Sequence, residues 1–167
     1  EFCEQVIKKF EADPRRAPST VGNYGQISDI RTGTLLRPDP NQFEDWRVLI
    51  DSLAPALDSA LSLYAAKYPG IKAVIEREGL LCRNPLIERV DPGQGFDWHY
   101  DQSFAVPERV IAGLLYLRTV KEGGFTEFKE QKHRVRPAAG KFVLFPPYWT
   151  HFHRGVSPTT EPKYVMS

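Results

Sequence analysis

Cysteine is scarce in this sequence, and so are unbalanced charge and long apolar runs. The 167-residue chain has two cysteines, Cys3 and Cys82. Two cannot make the disulfide framework of a small secreted scaffold, and they read as two buried free thiols, one in a helix-like opening and one in an apolar stretch. Lysine and arginine number 22 against 21 acidic residues, a net charge of +1. Composition therefore predicts no broad attraction to nucleic acid or to an anionic membrane surface. No apolar run reaches the length needed to span a bilayer, and no charged-then-apolar signal opens the chain. A cytoplasmic setting without a membrane is the default expectation. Internal repeats, low-complexity tracts and long linkers are also missing.

What remains is ordinary globular composition, 41% hydrophobic and 26% charged. The length suits one domain, residues 1–167, able to bury a core without staples. Within it, residues 1–79 form a helical, supporting part and residues 80–167 a strand-rich core. Phe2, Val6, Ile7 and Phe10 mark an amphipathic helix over 1–11 that Asp13-Pro14 ends. Short strands are expected at Ile27–Ile30 and Gly33–Leu36. Phe43, Trp46, Ile50, Leu53, Leu57, Leu61 and Tyr64 recur at helical steps over 43–67, with a kink or two abutting helices at Pro55 and a stop at Tyr68-Pro69-Gly70. Beyond residue 80, strands are expected near 85–91, 96–101, 109–118, 124–128, 132–136, 141–146, 151–156 and 163–167. Eight short strands after a helical half predict an α+β, mainly β architecture: a double-sheet jelly roll with N-terminal helices packed on one sheet.

Chemistry concentrates at Trp98-His99-Tyr100-Asp101. In an extended strand, residues two apart share a face, so His99 and Asp101 can offer an imidazole and a carboxylate to one metal ion. A second imidazole from His153 would complete two histidines and one carboxylate. That set suits a non-heme Fe(II) oxygenase, because the remaining positions stay open for substrate and oxygen. An H-x-D triplet alone is common, and strand parity does not separate His153 from His151. The fourth histidine, His133, lies in a basic segment that reads as a solvated strand or loop.

Four motifs in order resemble the 2-oxoglutarate and Fe(II)-dependent dioxygenases, in the prolyl 4-hydroxylase-like branch. They are Phe96 to Asp101, Gly123-Gly124-Phe125-Thr126-Glu127-Phe128, Gly140 to Pro146, and His153-Arg154-Gly155-Val156-Ser157-Pro158 followed by Lys163-Tyr164. The resemblance covers roughly residues 85–167 and implies a double-stranded β-helix. It selects His153 over His151 as the distal ligand, since Gly155 follows at two and Lys163 at ten. It implies that His99, Asp101 and His153 hold Fe(II), with no catalytic side chain beyond the metal centre. Lys163 would pair with the far carboxylate of 2-oxoglutarate, where related enzymes often use arginine. Tyr116 stands where the family places a tyrosine that adds a second donor, although a plain core aromatic fits that position equally. Where some members carry a first-strand tyrosine, this chain has Val90 or Asp91.

By the same resemblance the cofactors are Fe(II), 2-oxoglutarate as cosubstrate, O2 and, as a further candidate, ascorbate. The reaction would hydroxylate an unactivated C–H bond with release of succinate and CO2. A carboxylate at Asp101 argues against the halogenating subtype, which replaces that ligand with a small residue. The substrate would be a peptidyl proline or a small amino-acid-like molecule. Arg31, Arg37, Tyr100 and Trp149 are candidates for the mouth of the site, with a structural role the simpler reading for each. Two other classes compete. A nucleic-acid dealkylating dioxygenase would want a basic groove, which the net charge disfavours. A non-catalytic jelly-roll module would want a closed structural metal site, and three ligands make a poor one.

Overall fold

The computed structural model describes residues 1–21, 29–102 and 107–167. The chain divides into two compact units, residues 1–36 with 86–167, and residues 37–85. The first unit holds ten strands among its described residues: β1 (Ala17–Pro18), β2 (Thr34–Leu36), β3 (Ile87–Val90), β4 (Phe96–His99), β5 (Ala112–Tyr116), β6 (Thr126–Phe128), β7 (His133–Val135), β8 (Phe142–Phe145), β9 (His153–Gly155) and β10 (Lys163–Met166). They form a six-stranded sheet in the order β1-β2-β3-β10-β5-β8 and a four-stranded sheet in the order β4-β9-β6-β7. Every pairing is antiparallel. This is a mainly β jelly roll, and the strands predicted from residue 85 onward are all present within a few residues of their expected bounds.

Side chains that face inward from the two sheets meet between them. Phe128 of β6 packs edge-on to Phe145 of β8, with ring centroids 5.0 Å apart. Tyr116 of β5 hydrogen-bonds Thr126 of β6. Burying each aliphatic or aromatic side chain of this kind is worth roughly 1.5–3 kcal/mol, which makes this interior the main source of stability in the unit. The turn into β6 depends on Gly123 and Gly124, both with positive φ (71° and 68°). A Cβ on Gly123 would lie 2.4 Å from the Ser157 carbonyl oxygen, so the turn can pack there only without a side chain.

Helix α1 (Phe2–Ala12) belongs to this unit and buries Val6 and Phe10. Its C-terminal turn sits against the outer face of the six-stranded sheet: Phe10 meets the Tyr164 ring edge-on at 6.1 Å, and Glu11 accepts hydrogen bonds from the Tyr164 hydroxyl (2.6 Å) and from Arg89 (3.1 Å). The strand β1, which pairs with β2, is an addition to the expected set; its two residues are too few to leave a periodic signal. Of the strand expected over 27–30, residues 27 and 28 lie outside the described residues, and Asp29 and Ile30 are in a turn.

The second unit is helical. The break foreseen at Pro55 separates α2 (Glu44–Asp51) from α3 (Ala54–Lys67), with a bend of 44°; the proline stands in the first turn of α3, where its missing N–H costs nothing. Tyr68-Pro69-Gly70 does not end the helical region as expected. It ends α3 but opens α4 (Pro69–Glu78), again with proline at the helix start, and α4 stops at Gly79 with φ 73°. Among the described residues no single helix is long and apolar enough to cross a membrane; only α2 and α3 taken together across their bend pass on length and composition. The expectation of two buried thiols is corrected: Cys3 is half-buried and Cys82 is exposed. Cys82 follows Leu81, which is 96% exposed, in a stretch with no helix or strand, so apolar composition there finds nothing to pack against.

Candidate active site

His99 and His153 are direct partners across the β4–β9 ladder, so their side chains leave the same face of the four-stranded sheet. Their ring centroids are 4.2 Å apart. Asp101 reaches the pair by a different route from the one expected. Strand β4 ends at His99, and Asp101 lies in a bend, so strand alternation does not place its carboxylate. Instead the backbone is pinned: Asp101 N–H donates to the Pro147 carbonyl (3.0 Å), and Arg109 donates to the Asp101 carbonyl (2.6 Å). The outcome is an Asp101 Oδ1 3.6 Å from His99 Nε2 and an Oδ2 3.8 Å from His153 Nε2. Among the described residues this is the one group of three histidine, cysteine or acidic side chains with ligand atoms all within 4.8 Å of one another.

The donor set fits a divalent transition ion. Metal–ligand bonds of about 2.1 Å put adjacent ligand atoms about 3 Å apart, so only a small closure is needed. Both imidazoles are oriented for it. The Nδ1 of His99 is 2.7 Å from the Asp97 carbonyl oxygen, and the Nδ1 of His153 is 2.9 Å from that of His151. A carbonyl can only accept, so each Nδ1 carries the proton and each Nε2 lone pair points at the common centre. Burial, followed by the neighbouring His153, holds the His99 pKa down to about 4, so the ring is neutral at physiological pH, as a ligand must be. His151 is not a strand residue at all. It closes a short 3-10 turn, Trp149–His151, and its contribution to the centre is the backbone carbonyl that orients His153. His133 is exposed on β7, as expected.

Aromatic rings fence the histidines. Phe96 stacks on His99 with centroids 3.5 Å apart and planes 13° from parallel. Phe128 and Phe145 flank His153 at 5.5 and 4.9 Å. Across the interior stands Lys163, on β10 and only 5% exposed. Its Nζ lies 3.9 Å from where a Cβ on Gly155 would be, which puts the ammonium against β9 two residues beyond His153. It lies 5.4 Å from the centre of the Tyr116 ring. Among the described residues no hydrogen bond or ion pair engages it. Burial lowers its pKa to about 8, an effect that Glu88 partly opposes. Tyr116 is fully buried, and its hydroxyl donates to Thr126 Oγ1 at 2.6 Å; burial raises its pKa to about 12.

Two features of this pocket escape sequence reasoning. Thr126 was visible only as the last letter of the G-G-x-T turn. The second is an ion pair that Arg31 forms with Glu88 of β3, buried at 6% exposure. A glutamate at an inward position of β3, between two apolar residues and an arginine, is the available signal. Of the other mouth candidates, Trp149 and Tyr100 are 75% and 50% exposed, and Arg37 lies in the helical unit.

Residues 86–167 match the family model of the 2OG-Fe(II) oxygenase superfamily. No curated protein matches the chain. Among solved structures, a viral collagen prolyl hydroxylase from Paramecium bursaria Chlorella virus-1 is similar at 18% identity and a TM-score of 0.66, over 99% of this chain and 86% of that one. A Pseudomonas putida prolyl-4-hydroxylase is similar at 20% identity and a TM-score of 0.66, over 99% and 82%. A Trichoplax adhaerens prolyl hydroxylase, solved with a hypoxia inducible factor peptide fragment, is similar at 16% identity and a TM-score of 0.69, over 98% and 73%. At these identities the likeness speaks for the fold, and the family match speaks for the site-bearing half. Residues 86–167 thus carry the signature of the 2OG-Fe(II) oxygenase superfamily, the 2-oxoglutarate-dependent dioxygenases that work with Fe(II) and O2.

Proposed function

We propose that the chain is a hydroxylase of prolyl 4-hydroxylase type, in which His99, Asp101 and His153 hold Fe(II) and Lys163 binds the far carboxylate of 2-oxoglutarate. The observation that carries this reading is the conjunction of the two: a three-ligand cluster, and across the same interior a buried ammonium that no hydrogen bond or ion pair holds among the described residues. Fe(II) bound there would supply the O2 activation that couples oxidation of 2-oxoglutarate to succinate and CO2 with hydroxylation of a substrate C–H bond.

The chain's own residues do the rest. Asp97 and His151, through their carbonyls, keep the two histidines in the tautomer that ligates. Lys163 neutralises a carboxylate that would otherwise be buried unpaired at a cost of several kcal/mol. The hydroxyls of Tyr116 and Thr126, already bonded to each other, leave one proton free to donate to that carboxylate. Phe96, Phe128 and Phe145 surround the histidines with apolar surface and keep water away from the reacting centre. A peptidyl proline or a small amino-acid-like molecule is the proposed substrate class, in keeping with the peptide bound by the Trichoplax adhaerens neighbour.

The test is Fe(II)- and O2-dependent formation of succinate from 2-oxoglutarate, with a panel of proline-containing peptides and free amino acids. Succinate formation that rises with one substrate, together with its gain of one oxygen by mass, is the expected outcome. A protein that binds neither Fe(II) nor 2-oxoglutarate would end this reading.

A further inference from the structure

Glu88 and Lys163 are set up to find each other, yet they do not pair. The β10–β3 register puts Val165 opposite Glu88, so Lys163, two residues along, shares Glu88's face one diagonal step away. Diagonal neighbours of this kind are about 7–8 Å apart at Cα, within the combined reach of a lysine and a glutamate. Glu88 also acts electrostatically on Lys163. Two buried, opposite charges so placed would ordinarily close into an ion pair.

The carboxylate is held elsewhere. Arg31 grips it with two parallel bonds, Nε to Oε1 at 2.9 Å and Nη2 to Oε2 at 3.0 Å. Ser19 adds a hydroxyl donor to Oε1 at 2.5 Å. The guanidinium in turn has little freedom. Arg31 forms a β-bridge with Phe96, its flanking backbone is tied by Thr32 N–H to Gly95 O (2.8 Å) and Asp97 N–H to Ile30 O (2.7 Å), and its guanidinium lies 4.8 Å over the Phe96 ring. A fork of this geometry saturates a carboxylate in one direction, which a point charge such as lysine does not.

We infer that Arg31 is a positioning residue for cosubstrate binding: by clamping Glu88 it prevents an internal Glu88–Lys163 pair and keeps the Lys163 ammonium available to an incoming carboxylate. This rests on the reading of Lys163 as the cosubstrate's cation. It differs from a merely structural ion pair in one respect. A structural pair suffers alike when either partner is removed, whereas here removal of Arg31 weakens 2-oxoglutarate binding and removal of the Glu88 charge does not.

The experiment uses the full chain loaded with Mn(II), a redox-inert stand-in, and titrates it with 2-oxoglutarate by calorimetry; Mn(II) affinity is measured separately by electron paramagnetic resonance. Arg31→Met, which keeps apolar bulk over Phe96, is expected to weaken 2-oxoglutarate binding by about tenfold or more while Mn(II) affinity stays within about threefold of wild type. Glu88→Gln is expected to bind 2-oxoglutarate at least as tightly as wild type, within about threefold, and the double variant to return to that range. An Arg31→Met protein that binds 2-oxoglutarate normally, or a double variant as weak as Arg31→Met, overturns the inference. So does a Glu88→Gln protein weakened about tenfold, and that variant decides the matter if Arg31→Met does not fold. A wild-type protein that binds Mn(II) but no 2-oxoglutarate would instead strike at the proposed role of Lys163.

Discussion

The two sides of the pocket are built by different means. On the four-stranded sheet, His99 and His153 are register partners, backbone carbonyls fix the proton on each ring, and stacked phenylalanines hold the ring planes. On the six-stranded sheet, Lys163 is a flexible side chain whose charge state is set by burial and whose freedom depends on a neighbouring ion pair. Backbone-determined geometry survives most single substitutions nearby, because no one side chain supplies it. Geometry held by a few charged side chains is more exposed to mutation and to pH. The proposed metal side should therefore lose most when a ligand itself is removed, and the proposed cosubstrate side should be tunable.

The largest effect should come from the proposed ligands themselves. Replacing His99 or Asp101 with Ala leaves two donors, and affinity for Fe(II) or Mn(II) is expected to fall by more than about a hundredfold, with succinate formation lost; even partners of metal ligands commonly cost 10–100-fold. Retained metal binding in either variant, measured by equilibrium dialysis, would refute the assignment. A substitution at Trp149, 75% exposed, should leave metal affinity unchanged.

Lys163→Ala should separate the two sides. Affinity for 2-oxoglutarate is expected to drop by about one to two orders of magnitude, while metal affinity stays near normal. pH sharpens the contrast. Below a pKa of about 8 the Lys163 ammonium is charged and able to bind a carboxylate; above it the group becomes neutral. Affinity for 2-oxoglutarate should thus be flat up to about pH 8 and then fall toward tenfold per pH unit. In Lys163→Arg, where the guanidinium stays protonated, that fall should vanish even if binding is weaker throughout. A wild-type affinity that is flat to pH 9.5 would assign the carboxylate to another cation.

How much of this was legible beforehand follows the same division. Short apolar runs between glycines, prolines and charges located every strand from residue 85 on, because local apolar content and turn punctuation mark them even where burial does not alternate, as in β6 and β10, buried throughout. His99 and His153 were legible through motif and spacing. Asp101 does join the two histidines, but not for the reason alternation suggests: the strand stops at His99, and Pro147 and Arg109 do the placing. Those are contacts across 8 residues and 46 residues of sequence, as the numbering gives, and no local pattern records them. Helix α4 was missed because Tyr68-Pro69-Gly70 reads as an ending, whereas proline in a first helical turn is equally a beginning. The Arg31–Glu88 clamp was hidden for a related reason, since its partners are 57 residues apart and each looks like an isolated charge.

The smallest effect tests whether the Tyr116–Thr126 hydroxyl pair belongs to the cosubstrate side or only to the core. Burial raises the Tyr116 pKa to about 12, so the hydroxyl remains a donor over the whole working range. At 2.6 Å the two hydroxyls share one hydrogen bond, and only one of the two protons is used in it. If the other proton meets the carboxylate held by Lys163, then Tyr116→Phe and Thr126→Val should each weaken 2-oxoglutarate binding by about 1 kcal/mol, roughly fivefold. Because both act through one pair, the double variant should be little worse than either single one. A pair that serves the core alone predicts the opposite pattern: lower thermal stability in each variant and an unaltered 2-oxoglutarate affinity. The lysine would then hold the carboxylate by charge alone, and Lys163→Ala should abolish binding rather than weaken it.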